Sequence, residues 1–378
     1  MLLKGFEIEI YTGTPQGEIV GLSDRIVANL DGFVREPDSR NVEYTTAPLA
    51  SYDRLLCALV RPRQQLRHYL RTLGDYTLIP GSTLSLGGAE EFHRSDPQNP
   101  YHTYIEQTYH TKVVTASVHI NIGISDPEFL FRACRLVRVE APLYLALSAS
   151  SPFLNNQVTG YHSTRWGLFP KTPAHVPLFT SHAHHIQWTE EQLAKGTMQN
   201  IRHLWTSVRP NGDHRPYNLN RLELRICDLI VDPIALLAVT ALLEARLGQL
   251  MADPSLDPLV SSQFSPEELV TLTDANEAAA SLSSLDATLQ HWQDGRKILA
   301  QDWIATLMEE VRPIAKQNGF GCFLLPIPKL LRTGNTAQQW LRHYEDQKNI
   351  PQVITSAILD IQQQEQELAD KLCQPLAA

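Results

Sequence analysis

Hydrophobic and polar residues alternate along Lys4-Gly5-Phe6-Glu7-Ile8-Glu9-Ile10-Tyr11, the two-residue period of a strand with one buried face. Phe6, Ile8 and Ile10 share one face, and Glu7 and Glu9 share the other. At a rise of ~3.3 Å per residue the two carboxylates stand roughly 6 to 7 Å apart. Taken alone, this strand also reads as a half-buried one with a solvated acidic face. The device recurs, however. From Val114 to Ile122 the even positions are apolar and the odd ones end in His119 and Asn121. Leu222, Leu224 and Ile226 alternate with Glu223, Arg225 and Cys227, and Asn41-Val42-Glu43-Tyr44-Thr45 puts Glu43 on a polar face. A sheet with helices over its apolar side would gather these acids, the imidazole, the amide and the guanidinium on its other side.

Between the strands the period changes to that of helices. Helices are predicted at 22–30, at 51–74 with Pro62 kinking or dividing it, and from Asp126-Pro127 to about Ser148. From Asp232-Pro233 onward the pattern is almost purely helical: 233–252, 265–280, 283–318, 335–347 and 351–373. Leu285, Leu289, Trp292, Ile298, Trp303 and Leu307 give the long third piece an apolar stripe, with both tryptophans assigned to the core. Residues 1–232 read as a catalytic sheet with covering helices, and 233–378 as a helical layer of the same domain, with no linker between them.

Composition narrows the function. The 378 residues are 43% hydrophobic with a formal net charge of −9, enough for a substantial core and contrary to a nucleic-acid groove. The arginines at 54, 61, 63, 67 and 71 read as the solvated face of a helix. No window approaches the ~18 apolar residues of a membrane span and no signal-peptide profile opens the chain, so a soluble, cytoplasmic protein is expected. The five cysteines are widely spaced without a C-x-x-C pair and read as reduced thiols. Ile79 to Gly88 could cradle a phosphate but lacks the P-loop pattern. His93, His102 and His110, and the run His182-Ala183-His184-His185, show no metal-ligand spacing and read as loop histidines. The proline-broken, aromatic connection from Ser150 to Trp166 carries Arg165, and such connections often line binding sites.

Several carboxylates converging on one cavity need a compensating charge, which divalent cations supply. Acid-rich sets with one imidazole suit Mg²⁺ or Mn²⁺ better than zinc, and Mg²⁺ usually bridges carboxylates to nucleotide phosphates. Glu7 and Glu9 could also serve as a glycosidase pair, but that chemistry does not call for Arg225 and His119 beside them. Phosphoryl transfer uses all of them.

The ordered set Gly5-Phe6-Glu7-Ile8-Glu9, Asn41 to Thr46, Ser117 to Gly123, Ser151-Pro152-Phe153 to Arg165, and Arg221 to Asp228 resembles the signature of glutamate–cysteine ligases, closest to the short, cyanobacterial-type branch related to the carboxylate-amine ligases. The resemblance spans about Gly5 to Asp232 and fades past residue 240. It implies an α+β fold: an antiparallel sheet of the glutamine synthetase catalytic-domain type, helices on one face and a helical C-terminal third. It implies ATP-dependent ligation of the L-glutamate γ-carboxylate to L-cysteine through a γ-glutamyl phosphate. Glu7, His119 and Glu223 would hold the metal that contacts the phosphoryl group, and Glu9 and Glu43, aided by Glu36, another. Arg209 and Arg225 would steady the phosphate, with Arg165 and Asn121 on the substrate side. The partners implied are small molecules, with neither nucleic acid nor membrane among them. Two alternatives stay open: a ligase using another amine, and a non-catalytic metal- or nucleotide-binding homologue. Oligomeric state is left open.

Overall fold

A computed structural model describes residues 1–373. Its centre is a seven-stranded antiparallel sheet made of β1 (Lys4–Gly13), β2 (Phe33–Arg35), β3 (Asn41–Thr45), β4 (Thr77–Ile79), β5 (Val118–Gly123), β8 (Val208–Asn211) and β9 (Arg221–Leu224). Two short hairpins, β6/β7 (Phe153–Leu154 and Gln157–Val158) and β10/β11 (Thr288–Gln290 and Lys297–Leu299), stand apart. The spatial order is β2-β3-β1-β5-β9-β8, with β4 on the far end of β1. The alternation sets the faces: Phe6, Ile8, Ile10, Val118, Ile120 and Leu222 are fully buried. The register sets their polar counterparts side by side, Glu7 opposite His119, Glu9 opposite Glu43, and Glu223 opposite both Asn121 and Arg209.

Thirteen α-helices are described: α1 (Ser23–Asn29), α2 (Tyr52–Leu73), α3 (Pro100–Tyr109), α4 (Pro127–Ser148), α5 (Thr164–Leu168), α6 (His182–Lys195), α7 (Pro233–Ala252), α8 (Pro258–Ser261), α9 (Pro266–Ser283), α10 (Ala300–Gln317), α11 (Pro326–Thr333), α12 (Thr336–Gln347) and α13 (Ile350–Leu372). Helix α4 packs on β8 and β9. It starts where the Asp126 side chain accepts from the Glu128 and Phe129 amides with Pro127 in the first turn, a strong start signal. Its Glu140 is fully buried yet accepts from Arg246 on α7 and from Trp292, so the charge entering the core is paired.

Several sequence expectations are corrected. Helix α2 runs through Pro62 undivided, with the Tyr44 hydroxyl donating to the Leu59 carbonyl beside it. Its arginines are not all solvated. Arg63 and Arg67 are buried and share Glu365 of α13, because α13 covers that face of α2. The 283–318 stretch is not one helix. It holds β10, β11 and α10, and the chain reverses at Asp294-Gly295, where Gly295 takes a φ of +73° that favours glycine. Trp292 and Trp303 are in the core as expected. His102 lies buried on α3, and His182, His184 and His185 open α6, not a loop. The thiols are not all reduced, since Cys57 on α2 and Cys373 just past α13 form a disulfide. An 18-residue window of α7 does reach the apolarity of a membrane span, at mean hydropathy 1.6. That window is 72% buried, and the helix packs against α2, α4 and α10.

Candidate active site

The polar face of the sheet opens into a cavity of about 600 Å³. Glu7, Glu9, Glu36, Glu43 and His119 line it, with Arg165, Arg209 and Arg225. The acids form two groups. In the first, His119 Nδ1 lies 2.9 Å from Glu7 Oε2 and 3.6 Å from Glu223 Oε1. In the second, carboxyl oxygens of Glu9, Glu36 and Glu43 lie within 4.8 Å of one another. Ser117 joins the two, donating to Glu9 Oε2 at 2.7 Å and lying 3.2 Å from His119 Nε2.

Glu223 is fully buried and the most heavily bonded of the acids. Arg209 donates to both its oxygens, from Nε at 2.7 Å and Nη2 at 3.0 Å, and Asn211 and Arg225 add further bonds. Burial favours its neutral form, but Arg209, Arg225 and His119 outweigh that and hold the carboxyl well below its usual range. Glu7 follows the same logic: burial and Glu223 push it up, while the His119 bond and Arg225 bring it below its ordinary value. The second group behaves oppositely. Burial, and the charges of the neighbouring acids, raise Glu36 and Glu43 well above the carboxylate range. Among the described residues no guanidinium pairs with Glu36 or Glu43, and the trio's one imidazole contact is His119 Nε2, 3.9 Å from Glu9 Oε1, so the carboxyls are crowded with little compensating charge.

Arg209 also donates to the Arg202 and Leu204 carbonyls, which fixes it in place. Arg165 is buried beside Trp166 and Phe169, and it donates to the carbonyls of Arg225 and Ile226. It therefore braces the chain just past β9 while facing the cavity. Asn121 donates to Glu7 Oε1 and lies in a second chamber of about 760 Å³, next to Leu3, Phe6 and Pro48. The two chambers meet at Glu7, Thr45 and Arg221.

Eight of the nine predicted site residues thus line these joined chambers, and the ninth, Glu223, is fully buried behind them, bonded to Arg209 and Arg225. Sequence reasoning missed others. Ser117 and Asn211 share strand parity with His119 and Arg209 and could have been found by counting in twos. Tyr101, Trp205, Arg202 and Arg215 also line the cavity but come from a helix and irregular segments, where no period marks them.

An antiparallel sheet that offers two acid groups and a set of arginines to one cavity has the parts that a ligase of the carboxylate–amine type uses. The chain belongs to glutamate–cysteine ligase family 2, whose family model matches residues 3–374, well past the stretch in which the resemblance is visible by eye. A protein of Rubrobacter xylanophilus named "Putative glutamate--cysteine ligase 2-1" is 25% identical over 90% of this chain and 90% of its own length. A like-named protein of Sorangium cellulosum is 28% identical over 64% of this chain and 62% of its own. Among solved structures, the glutamate–cysteine ligase of Francisella tularensis in complex with AMP is similar in fold, with TM-score 0.72 and 12% identity over 96% of this chain and 89% of that one. A bifunctional glutathione synthetase of Pasteurella multocida gives TM-score 0.74 and 15% identity over 98% of this chain and 53% of that longer one.

Proposed function

We propose that this chain joins the γ-carboxylate of L-glutamate to the amine of L-cysteine with cleavage of ATP, the first step of glutathione synthesis in the cytoplasm. The observation that carries the reading is the placement of Glu7, His119 and Glu223 against Arg209 and Arg225, with Glu9, Glu36 and Glu43 on the adjoining wall. Oxygen-rich trios, one with a single imidazole, fit Mg²⁺ or Mn²⁺. The raised carboxyls of Glu36 and Glu43 are the groups a cation would relieve. Bound there, the cations would offset charge on the phosphoryl oxygens.

A glutamate carboxylate oxygen attacks the γ-phosphorus, the bond to the bridging oxygen breaks and ADP leaves. Cysteine nitrogen then attacks the acyl carbon, phosphate leaves, and the amine gives up its proton. Arg209, clamped by Glu223 and two carbonyls, holds a fixed positive charge beside the transferring group. Such a preorganised charge favours the transition state without reorganising. Arg225 uses Nη1 on Glu223 and leaves its other N–H groups for a phosphoryl oxygen. The aromatic wall of Tyr101, Phe169 and Trp205 keeps water from the acyl phosphate. The second chamber, apolar with amide groups, suits the purine, with phosphates passing Glu7 into the first. That aromatic wall would also admit a bulkier amine, so the acceptor is the open choice.

The test is phosphate release from MgATP across a panel of amines. Release that requires both glutamate and cysteine supports the full reading, and release with a different amine moves the acceptor. Release that needs no amine, or none with any, overturns it.

A further inference from the structure

Seven arginines face the main cavity, and five of them have protein partners. Arg35 pairs with Asp24, Arg221 with Asp213, Arg209 and Arg225 with Glu223, and Arg165 donates to two carbonyls. Arg202 and Arg215 are the two whose guanidinium groups make no hydrogen bond or ion pair with any described residue. They differ in setting. Arg202 is exposed, whereas Nη1 of Arg215 is removed from solvent with no protein acceptor in reach. A guanidinium cannot shed its charge to escape such a place, and leaving a buried N–H unsatisfied is costly.

The chain holds Arg215 there deliberately. It sits in the loop between Asn211 and Arg221, which closes on itself through Asn218 N–H donating to the His214 carbonyl at 2.8 Å. Gly212 permits the closure, since a Cβ at that position would fall 2.1 Å from the Asn218 carbonyl oxygen. Helix α6 then pins the loop twice: His182 Nε2 contacts the Pro216 carbonyl at 2.8 Å, and the Tyr217 hydroxyl donates to Glu190. Loop residues are mobile by default, so a loop that closes on itself across Arg215 and is pinned to α6 at the two residues that follow it holds this unpartnered arginine preorganised for a ligand.

We propose that Arg215, seconded by Arg202, is the contact for a terminal oxyanion of a substrate, reaching past the Arg209–Glu223 pair from the arginine side of the cavity. The oxyanion is a carboxylate of the amino-acid substrate or a phosphate of the nucleotide, two sources of one chemistry. This assignment rests on the ligase reading only for the names of those two ligands.

The experiment is calorimetric binding of L-glutamate and, separately, of ATP to the full chain, alongside steady-state KM values. Arg215→Ala should weaken one of the two about ten- to hundredfold, the range for a charge-assisted hydrogen bond, while kcat changes less than threefold. Arg215→Lys should recover part of the loss. Weakened glutamate binding identifies the carboxylate, and weakened ATP binding the phosphate. Unchanged affinity for both, in a variant that retains the wild-type thermal midpoint, overturns the proposal. If the wild type ligates nothing yet Arg215→Ala still loses anion binding, the ligase reading fails and this one stands.

Discussion

Glu7 and Glu223 belong to one acid group yet carry different loads. Glu223 is wholly buried and anchors two arginines and an asparagine, whereas the Glu7 side chain keeps 24% of its surface open to the cavity. Glu7→Gln should therefore lower turnover by about a hundredfold or more, as loss of a transition-state electrostatic contact does, with a thermal midpoint close to wild type. Glu223→Gln should lose turnover and also ~3–5 kcal/mol of stability, because Arg209 and Arg225 would stay buried without their anion. Equal urea midpoints for the two variants would refute this division. A second residue-scale expectation concerns His185, packed between Phe131 and Phe179. Burial, with His182 and His184 nearby, pushes it down to about 3. For a base depressed in the folded state, the unfolded chain takes the proton first. The stabilisation is complete above the ordinary value near 6.5 and falls as pH drops from there toward 3, by about 1.4 kcal/mol per pH unit. Urea midpoints at pH 7.5 and 5 should lie closer together in His185→Phe than in wild type.

At the scale of elements, Glu365 joins α13 to α2 by accepting from both Arg63 and Arg67, while Arg63 also donates to the Tyr44 hydroxyl of β3. Glu365→Gln should cost ~3–5 kcal/mol, since two buried guanidinium groups lose their counter-charge. An unchanged unfolding midpoint would contradict it. This contact also marks the boundary of what the chain's pattern discloses. Glu7, His119 and Glu223 could be located because a strand repeats every two residues and a charged side chain on a regular polar face is conspicuous. Arg63 and Arg67 looked solvated because helical spacing records which face a residue is on, not what covers that face, and the cover arrives about 300 residues later. The same limit explains the broken helix at 283–318. Leu285, Leu289 and Trp292 fit a helical period and are indeed buried, but the Asp294-Gly295 reversal outweighs three well-spaced apolar residues. Arg202 and Arg215 were invisible for a third reason: their positions come from loop closure and tertiary pins, with no period at all.

For the whole molecule, the Cys57–Cys373 bridge fastens the end of α13 to α2 across a separation of 316 residues. A cross-link over so long a loop restricts the unfolded chain strongly, and disulfides of this kind typically add ~2–4 kcal/mol. The proposed cytoplasmic setting would keep it reduced, so the folded state must be able to stand without it. It has the means: Ile354, Ile358 and Ile361 bury against the core, and Glu365 holds both arginines whether or not the sulfurs are joined. No residue of α2 or α13 lines either chamber, so the bridge is coupled to stability and not to the site. Reduction, or Cys57→Ser, should therefore lower the urea midpoint by that amount while leaving kcat and the KM values within about twofold. Parallel unfolding curves and initial rates with and without reductant check both halves. A fall in kcat at temperatures where the reduced protein is fully folded would show that α13 reaches the site through β3, by way of Glu365, Arg63 and Tyr44.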